Sequence, residues 1–258
     1  MRVLSSLAQL PDLGVDHLLV CTKSPTNPDI AQELAGIWPR FVRPPGVVVC
    51  QNGWGNAEAF AEQIEPEKVA SASILTGFRR IEDHGVEVTV HAKPIQVGSL
   101  YTREVEPLVG LCRAITRGGI PCEPNPGIEA ELVAKLLYNC LLNPLGALTR
   151  APYGRLGEGA ATRGVMEAVV REIFSVLEAG NLHTHWPDAD RYLETFYRDL
   201  LPPTAGHESS MLQDLEAGRG TEIDALCGAV VELGEKFGRP TPVNAALQAL
   251  VHVAERRD

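Results

Sequence analysis

The alternation of apolar and polar positions divides this chain into two halves of different character. Up to about residue 122, short apolar runs closed by turn residues alternate with segments of helical period. Asp16-His17-Leu-Leu-Val-Cys-Thr-Lys23 and Gly46-Val-Val-Val-Cys-Gln51 read as buried strands, the second closed by the turn-forming Asn52-Gly53. Val69 to Leu75 predicts a third strand. Val86 to Val90 and Ile95 to Val97 read as a strand pair, and Ile120-Pro-Cys122 as a short extended piece. Helical spacing predicts helices over 28–38, 57–64 and 104–117. This is the rhythm of a parallel sheet flanked by helices, with an antiparallel extension. After Glu123-Pro-Asn-Pro-Gly127 nearly everything has helical period: 128–149, 161–180, 188–199, 209–217, 222–237 and 242–256. The fold class is therefore α/β followed by all-α, with domains over 1–124 and 125–258.

One predicted helix breaks its own apolar pattern in a regular way. Lys135, Asn139 and Asn143 stand four residues apart in Lys135-Leu-Leu-Tyr-Asn139-Cys-Leu-Leu-Asn143-Pro144-Leu. Each step of four advances about 400° around a helix, so the three share a slightly drifting stripe. Burying an unpaired cation or amide costs several kcal/mol, so such a stripe either lines a polar cavity or is a solvated helix edge. The first alternative would present an acid and two hydrogen-bonding amides to a small oxygen-rich molecule.

Composition narrows the function classes. At 258 residues the chain is long enough for two cores, and its net charge of −10 argues against a nucleic-acid surface. No uninterrupted apolar run approaches the ~20 residues that span a bilayer, and the first residues, Met1 to Leu7, lack a long apolar leader segment. The six cysteines (21, 50, 112, 122, 140, 227) form no C-x-x-C pair and read as reduced core residues of a cytoplasmic protein. His183-Thr-His185 does not share a helical face, so it makes a poor metal site, and no metal is expected. Arg79-Arg80 reads as a solvated pair. Gly157 and Gly159 begin a dinucleotide fingerprint that Thr162 breaks, and no strand precedes them.

Four blocks in order resemble the ketopantoate reductase (2-dehydropantoate 2-reductase) family. They are Leu19-Val20-Cys21-Thr22-Lys23, Gln51-Asn52-Gly53-Trp54-Gly55-Asn56, Glu131-Leu-Val-Ala-Lys135 through Asn139, Asn143, Pro144 and Leu145, and Ser209-Ser210-Met211-Leu212-Gln213-Asp214 followed by Thr221-Glu222-Ile223-Asp224. The resemblance implies a Rossmann-like nucleotide-binding domain and a helical domain like the C-terminal domain of 6-phosphogluconate dehydrogenase. It further implies NADPH-dependent reduction of a small 2-keto acid to the 2-hydroxy acid, serving pantothenate synthesis. Lys135 and Glu222 would be catalytic. Asn139, Asn143 and Ser210 would bind substrate, and Lys23 and Asn52 would contact the cofactor.

The residue chemistry agrees with these roles. Hydride addition to a ketone leaves an alkoxide, which a partly desolvated ammonium can stabilise and protonate. Amides can bind a hydroxyl or carboxylate without changing charge. Ser210, near a helix start, could donate to a carboxylate beside backbone N–H groups that also favour anions. Glu222 is expected to open a helix, with Thr221 as N-cap and Asp224 at the third position, and reads equally as a plain first-turn carboxylate. Asn52 reads equally as a turn asparagine, and Lys23 as a loop lysine.

Two positions depart from the family pattern. Val133 stands where members often carry tryptophan. Only 22 residues precede Lys23, and no G-x-G-x-x-G occurs, whereas a complete βαβ unit needs about 30 residues or more. The chain thus resembles a member whose opening unit lies outside this sequence. The alternative is a shortened relative that binds a small acid or a protein partner without transferring hydride. In either case weak or undetectable NADPH affinity is expected, and an incomplete sheet flank would favour a homodimer.

Overall fold

The structure is a computed structural model describing residues 3–82, 84–91 and 93–256. The side chains of Arg79 and Arg80 lie outside the described set, so their reading as a solvated pair is not addressed. Contacts divide the chain into two units: Met1–Gln51 with Gly55–Glu131, and Asn52–Trp54 with Leu132–Asp258. The second boundary falls a few residues beyond the Pro-Asn-Pro break at which the sequence changes character.

The first unit is built on a five-stranded sheet in the order β1-β2-β3-β6-β7. β1 (His17–Val20), β2 (Gly46–Val49) and β3 (Val69–Ser73) run parallel. β6 (Ile95–Gly98) pairs antiparallel with β3 and parallel with β7 (Cys122–Pro124). Strand alternation sends successive side chains to opposite faces. Val47 and Val49 pack with Ala31, Leu34 and Ile37 of α1 (Asn27–Ile37) and with Phe60 of α2 (Glu58–Ala61). Val48 instead joins Ala70, Ala72, Ile95 and Val97, against Leu108 and Cys112 of α3 (Glu106–Arg117). Covering both faces explains why β2 reads as a continuous apolar run, whereas β1, expected to be a buried strand, buries only Val20 and leaves Leu19 exposed.

One expected pairing is wrong. The segment Val86 to Val90 does not pair with Ile95 to Val97. It belongs to β5 (Gly85–His91), which forms a separate antiparallel pair with β4 (Thr76–Glu82). β4 escaped the sequence reading because neither strand of this pair needs a buried face: Phe78, Ile81, Val86 and Val88 are all exposed. Ile95 and Val97, by contrast, are buried and are taken up by the main sheet.

In the second unit, α4 (Ile128–Thr149) lies at the centre of the core. Leu136, Leu137, Leu141 and Leu142 are each at most 2% exposed and pack with Met166, Val169 and Ile173 of α6 (Ala160–Gly180). The other helices are α5 (Tyr153–Glu158), not anticipated from pattern, α7 (Ala189–Thr195), α8 (Ser210–Glu216), α9 (Ala229–Phe237) and α10 (Pro242–Glu255). π-helical turns extend α7 over Phe196–Leu200 and precede α9 over Asp224–Gly228. By length and mean hydropathy α4 could cross a bilayer, although no uninterrupted apolar run of that length occurs. The averaging tolerates Lys135, Asn139 and Asn143, and 67% of its most apolar window is buried inside the protein.

The cysteines are not uniformly core residues. Cys112, Cys122, Cys140 and Cys227 are buried and Cys50 is half-buried, but Cys21 is exposed.

Candidate functional site

The site is best built from the turn that follows β2. Asn52-Gly53-Trp54 groups with the second unit and docks on the π-turn Asp224–Gly228. The Trp54 N–H donates to Ala225 O at 2.8 Å. Gly53 has φ +95°, and a Cβ there would lie 2.1 Å from Ala225 O, so both the conformation and the close approach demand glycine. Asn52 thereby turns its amide onto the acidic residue singled out from sequence: Asn52 Nδ2 donates to Glu222 Oε2 at 2.8 Å. Both side chains are half-buried.

The segment bearing Glu222 is held from behind. The Thr221 N–H donates to Glu255 Oε1 at 2.8 Å, and Thr221 Oγ1 accepts the Ile223 N–H at 3.3 Å. The helix expected to open at Glu222 with Thr221 as N-cap begins instead as a π-turn at Asp224, whose N-cap is Ile223 without a side-chain cap. The Thr221 hydroxyl makes a local turn two residues earlier, and Asp224 does not close a capping box. Its Oδ1 instead accepts from Gln248 Nε2 at 2.7 Å and lies 2.8 Å from His252 Nε2. His252 Nδ1 is 2.8 Å from Glu255 Oε2, so the imidazole bridges two carboxylates. Hydrogen bonding to Glu255, and then to Asp224, raises the His252 pKa above its ordinary 6.5. Burial works against ionisation of Glu255. Hydrogen bonds from Thr221 and His252 outweigh it and leave the Glu255 pKa lowered.

On α4 the helix extends through all three stripe positions. Lys135 and Asn139 are half-buried, while Asn143 is only 6% exposed and engaged through both of its oxygens. Tyr153 OH donates to Asn143 Oδ1 at 2.7 Å, and Ser209 Oγ donates to Asn143 O at 2.9 Å. Burial raises the Tyr153 pKa, so the phenol stays a donor across the physiological range. Gly146 makes the close approach possible, since a Cβ there would lie 3.0 Å from Ser209 Cβ. Ser209 is fully buried and is the N-cap of α8, accepting the Met211 and Leu212 N–H groups. The N–H groups expected to favour an anion beside Ser210 are thus already taken by Ser209. Ser210 itself is exposed at the first position of α8.

Lys23 lies in the first unit, exposed, just beyond β1. Beside it is a buried amide network that pattern reading missed. Asn27 Nδ2 donates to Gln51 Oε1 at 2.8 Å and Asn56 Oδ1 at 3.0 Å, and Gln51 Nε2 donates to Thr22 O at 2.8 Å. Gln51 and Asn56 lie on either side of the Asn52 turn in the chain, and Asn27 ties the two together within the first unit. The only sequence hint was three amides near strand ends.

The structure thus brings Asn52 to Glu222, and Asn143 to Ser209 and Tyr153. Lys135 and Asn139 share the helix face of Asn143, Ser210 is exposed at the start of α8, and Lys23 is exposed within the first unit. Among the described residues no group of three His, Cys, Asp or Glu side chains is placed to hold a metal ion.

Comparison with known proteins gives this arrangement its context. Residues 5–101 match the family described as ketopantoate reductase PanE/ApbA, and residues 127–255 match its C-terminal domain family. A 2-dehydropantoate 2-reductase of Aquifex aeolicus is 40% identical over 210 residues, covering 81% of this chain and 67% of that protein. The crystal structure of a PanE/ApbA family ketopantoate reductase from Ralstonia eutropha JMP134 superposes with a TM-score of 0.77 at 29% identity, covering 94% of this chain and 76% of that one. A ternary structure of D-mandelate dehydrogenase with NADH and anilino(oxo)acetate has a TM-score of 0.79 at 21% identity, over 93% and 76% of the two chains, a likeness of fold alone. With both of its halves matched in order, and with a relative so similar over four-fifths of its length, the chain belongs to the ketopantoate reductase family of oxidoreductases.

Proposed function

We propose that this chain is a 2-dehydropantoate 2-reductase-type enzyme that reduces ketopantoate, or a similar 2-keto acid, to the 2-hydroxy acid with NADPH. The observation that carries the reading is the 2.8 Å hydrogen bond from Asn52 to Glu222, which joins two residues to which the family resemblance gives cofactor and catalytic roles. Family membership supports the same reaction.

The described residues fit a nicotinamide dinucleotide in part. Lys23 and the Asn52 turn follow the carboxyl ends of β1 and β2, where ligands bind in open α/β sheets. No G-x-G-x-x-G turn to cradle a pyrophosphate occurs in this sequence. When bound, NADPH supplies the hydride. Lys135 stabilises the oxygen of the reacting carbonyl and gives it a proton, and Glu222 orients the substrate hydroxyl and the lysine. Asn139, Asn143 and Ser210 hold the carboxylate and hydroxyl groups, with the Asn143 amide fixed by Tyr153.

The test is NADPH oxidation in the presence of ketopantoate, alongside calorimetric titration of the cofactor. Lys135→Ala is expected to lower kcat by about 10²–10⁴-fold while leaving the NADPH Kd within about two-fold. Equal loss of both would mark the lysine as structural. Absence of ketopantoate turnover under conditions where the wild type binds NADPH would favour a non-catalytic member that binds a small acid or a protein partner.

A further inference from the structure

Cys21 and Cys50 are neighbours across the parallel pair β1–β2. The register aligns Val20 with Val49, and each cysteine is the next residue in its chain. One backbone bond reaches past the paired strands, the Cys50 N–H donating to Val20 O at 3.0 Å, and a side-chain bond from Gln51 Nε2 to Thr22 O at 2.8 Å ties the segments just beyond. Adjacent strands lie about 4.8 Å apart, within the Cα separations of about 4.4–6.8 Å that a disulfide spans. Alternation puts both side chains on the face opposite Val20 and Val49, where Leu19 is 48% exposed and Cys50 packs against Val48 and its neighbours. Cys21 is therefore open to solvent, with a shielded second thiol at its side.

We infer that Cys21 and Cys50 form an oxidisable dithiol, with Cys21 the thiol that meets a hydroperoxide and Cys50 the one that resolves it into an intramolecular disulfide. This goes beyond the proposed reductase activity and does not depend on it. The two sulfurs already share a hydrogen bond, which lowers the Cys21 pKa from 9.0 to about 7 against the opposing effect of burial. A substantial thiolate fraction follows at neutral pH, and the thiolate is the reactive form. Its sulfur attacks one peroxide oxygen, the O–O bond breaks, and the departing hydroxide is protonated to water, leaving a sulfenic acid on Cys21. The Cys50 sulfur then displaces that hydroxyl: the S–S bond forms, the S–O bond breaks, and a second water carries off the Cys50 proton. Two thiols lose two electrons and two protons, and one peroxide becomes two waters.

The remaining cysteines form a built-in contrast. Cys112 and Cys122 share a hydrogen bond but are buried, which raises both pKa values, that of Cys122 to about 12. Cys140 and Cys227 are likewise paired and buried, and burial raises Cys140 well above 9.0. Those pairs lack the exposure that oxidation requires.

The experiment is a titration of the wild-type chain with hydrogen peroxide at neutral pH, followed by thiol counting after denaturation and a non-reducing peptide map. The expected result is loss of two of the six thiols, with Cys21 and Cys50 linked in one peptide pair. Cys50→Ser should stop at a Cys21 sulfenic acid that a dimedone probe captures, and Cys21→Ser should retain its five thiols. Over-oxidation of Cys21 in the wild type without a cross-link, a link between two copies of the chain, or loss of thiols at the four buried positions would each overturn the inference.

Discussion

Asn143 is where the chemistry of a single side chain is most tightly determined. Its amide oxygen is held by Tyr153 OH and its backbone oxygen by Ser209 Oγ, all in a buried setting. Removing one partner of a buried hydrogen bond strands the other at a cost of about 1–3 kcal/mol. Tyr153→Phe is accordingly expected to lower stability by about that much, and to raise KM for the keto acid more than it lowers kcat, because the amide keeps its place but loses its orientation. Chemical denaturation and steady-state kinetics check the two parts separately. An unchanged unfolding midpoint would mean that Asn143 is satisfied in another way. The four-residue spacing of Lys135, Asn139 and Asn143 was legible in the sequence because helical period alone decides which residues share a face. Tyr153 and Ser209 were not. Their role depends on close approach at Gly146, and the pairing of Ser209 with a residue 66 positions away leaves no local signature.

Among the elements, the turn after β2 and the π-turn before α9 act as one piece. Gly53→Ala would drive a methyl group into Ala225 O and force an unfavourable positive φ on alanine. Strain of this kind costs about 1–3 kcal/mol per residue, and relief of the clash would move the turn away from Ala225. The expected outcome is a lower melting temperature together with loss of most catalytic activity, since Asn52 would leave Glu222. Retention of full activity would show that the contact with Ala225 is dispensable. Asn-Gly predicts a turn from sequence, and correctly so. That the turn lies against residues 222–225, some 170 positions later, is a tertiary fact. The misassigned strand pairing teaches the same lesson in reverse. Turn residues between Val86–Val90 and Ile95–Val97 predict a strand pair, but buried apolar faces on the main sheet outweigh a short connection.

For the whole molecule, the bridge from His252 to Asp224 and Glu255 makes stability depend on pH in a defined direction. The His252 pKa is raised, so its contribution is complete below about 6.5 and disappears as pH rises through the higher folded value. The Glu255 pKa is lowered, so its contribution is present above about 4.5 and is lost as pH falls through the lower folded value. The bridge is therefore strongest between these limits. His252 is more than a third exposed, which keeps its share near that of a screened surface pair, under about 1 kcal/mol. Melting temperatures of the wild type and His252→Gln should differ most near pH 5–6 and converge in mildly alkaline buffer. A gap independent of pH would show that the imidazole acts by packing alone.

What the sequence determined by itself was periodic and local: the parallel strands, the long apolar helix with its polar stripe, the switch to helices after residue 127, and the order of blocks that marks the family. Each follows from side-chain spacing along one element, which backbone geometry converts directly into faces. Only the tertiary structure decided which distant groups meet. It put Asn52 on Glu222 and assigned the capping of α8 to Ser209. It also set Cys21 beside Cys50 at the end of two strands. Such meetings depend on the close packing of elements far apart in the chain, and no spacing within any one of them encodes the partner.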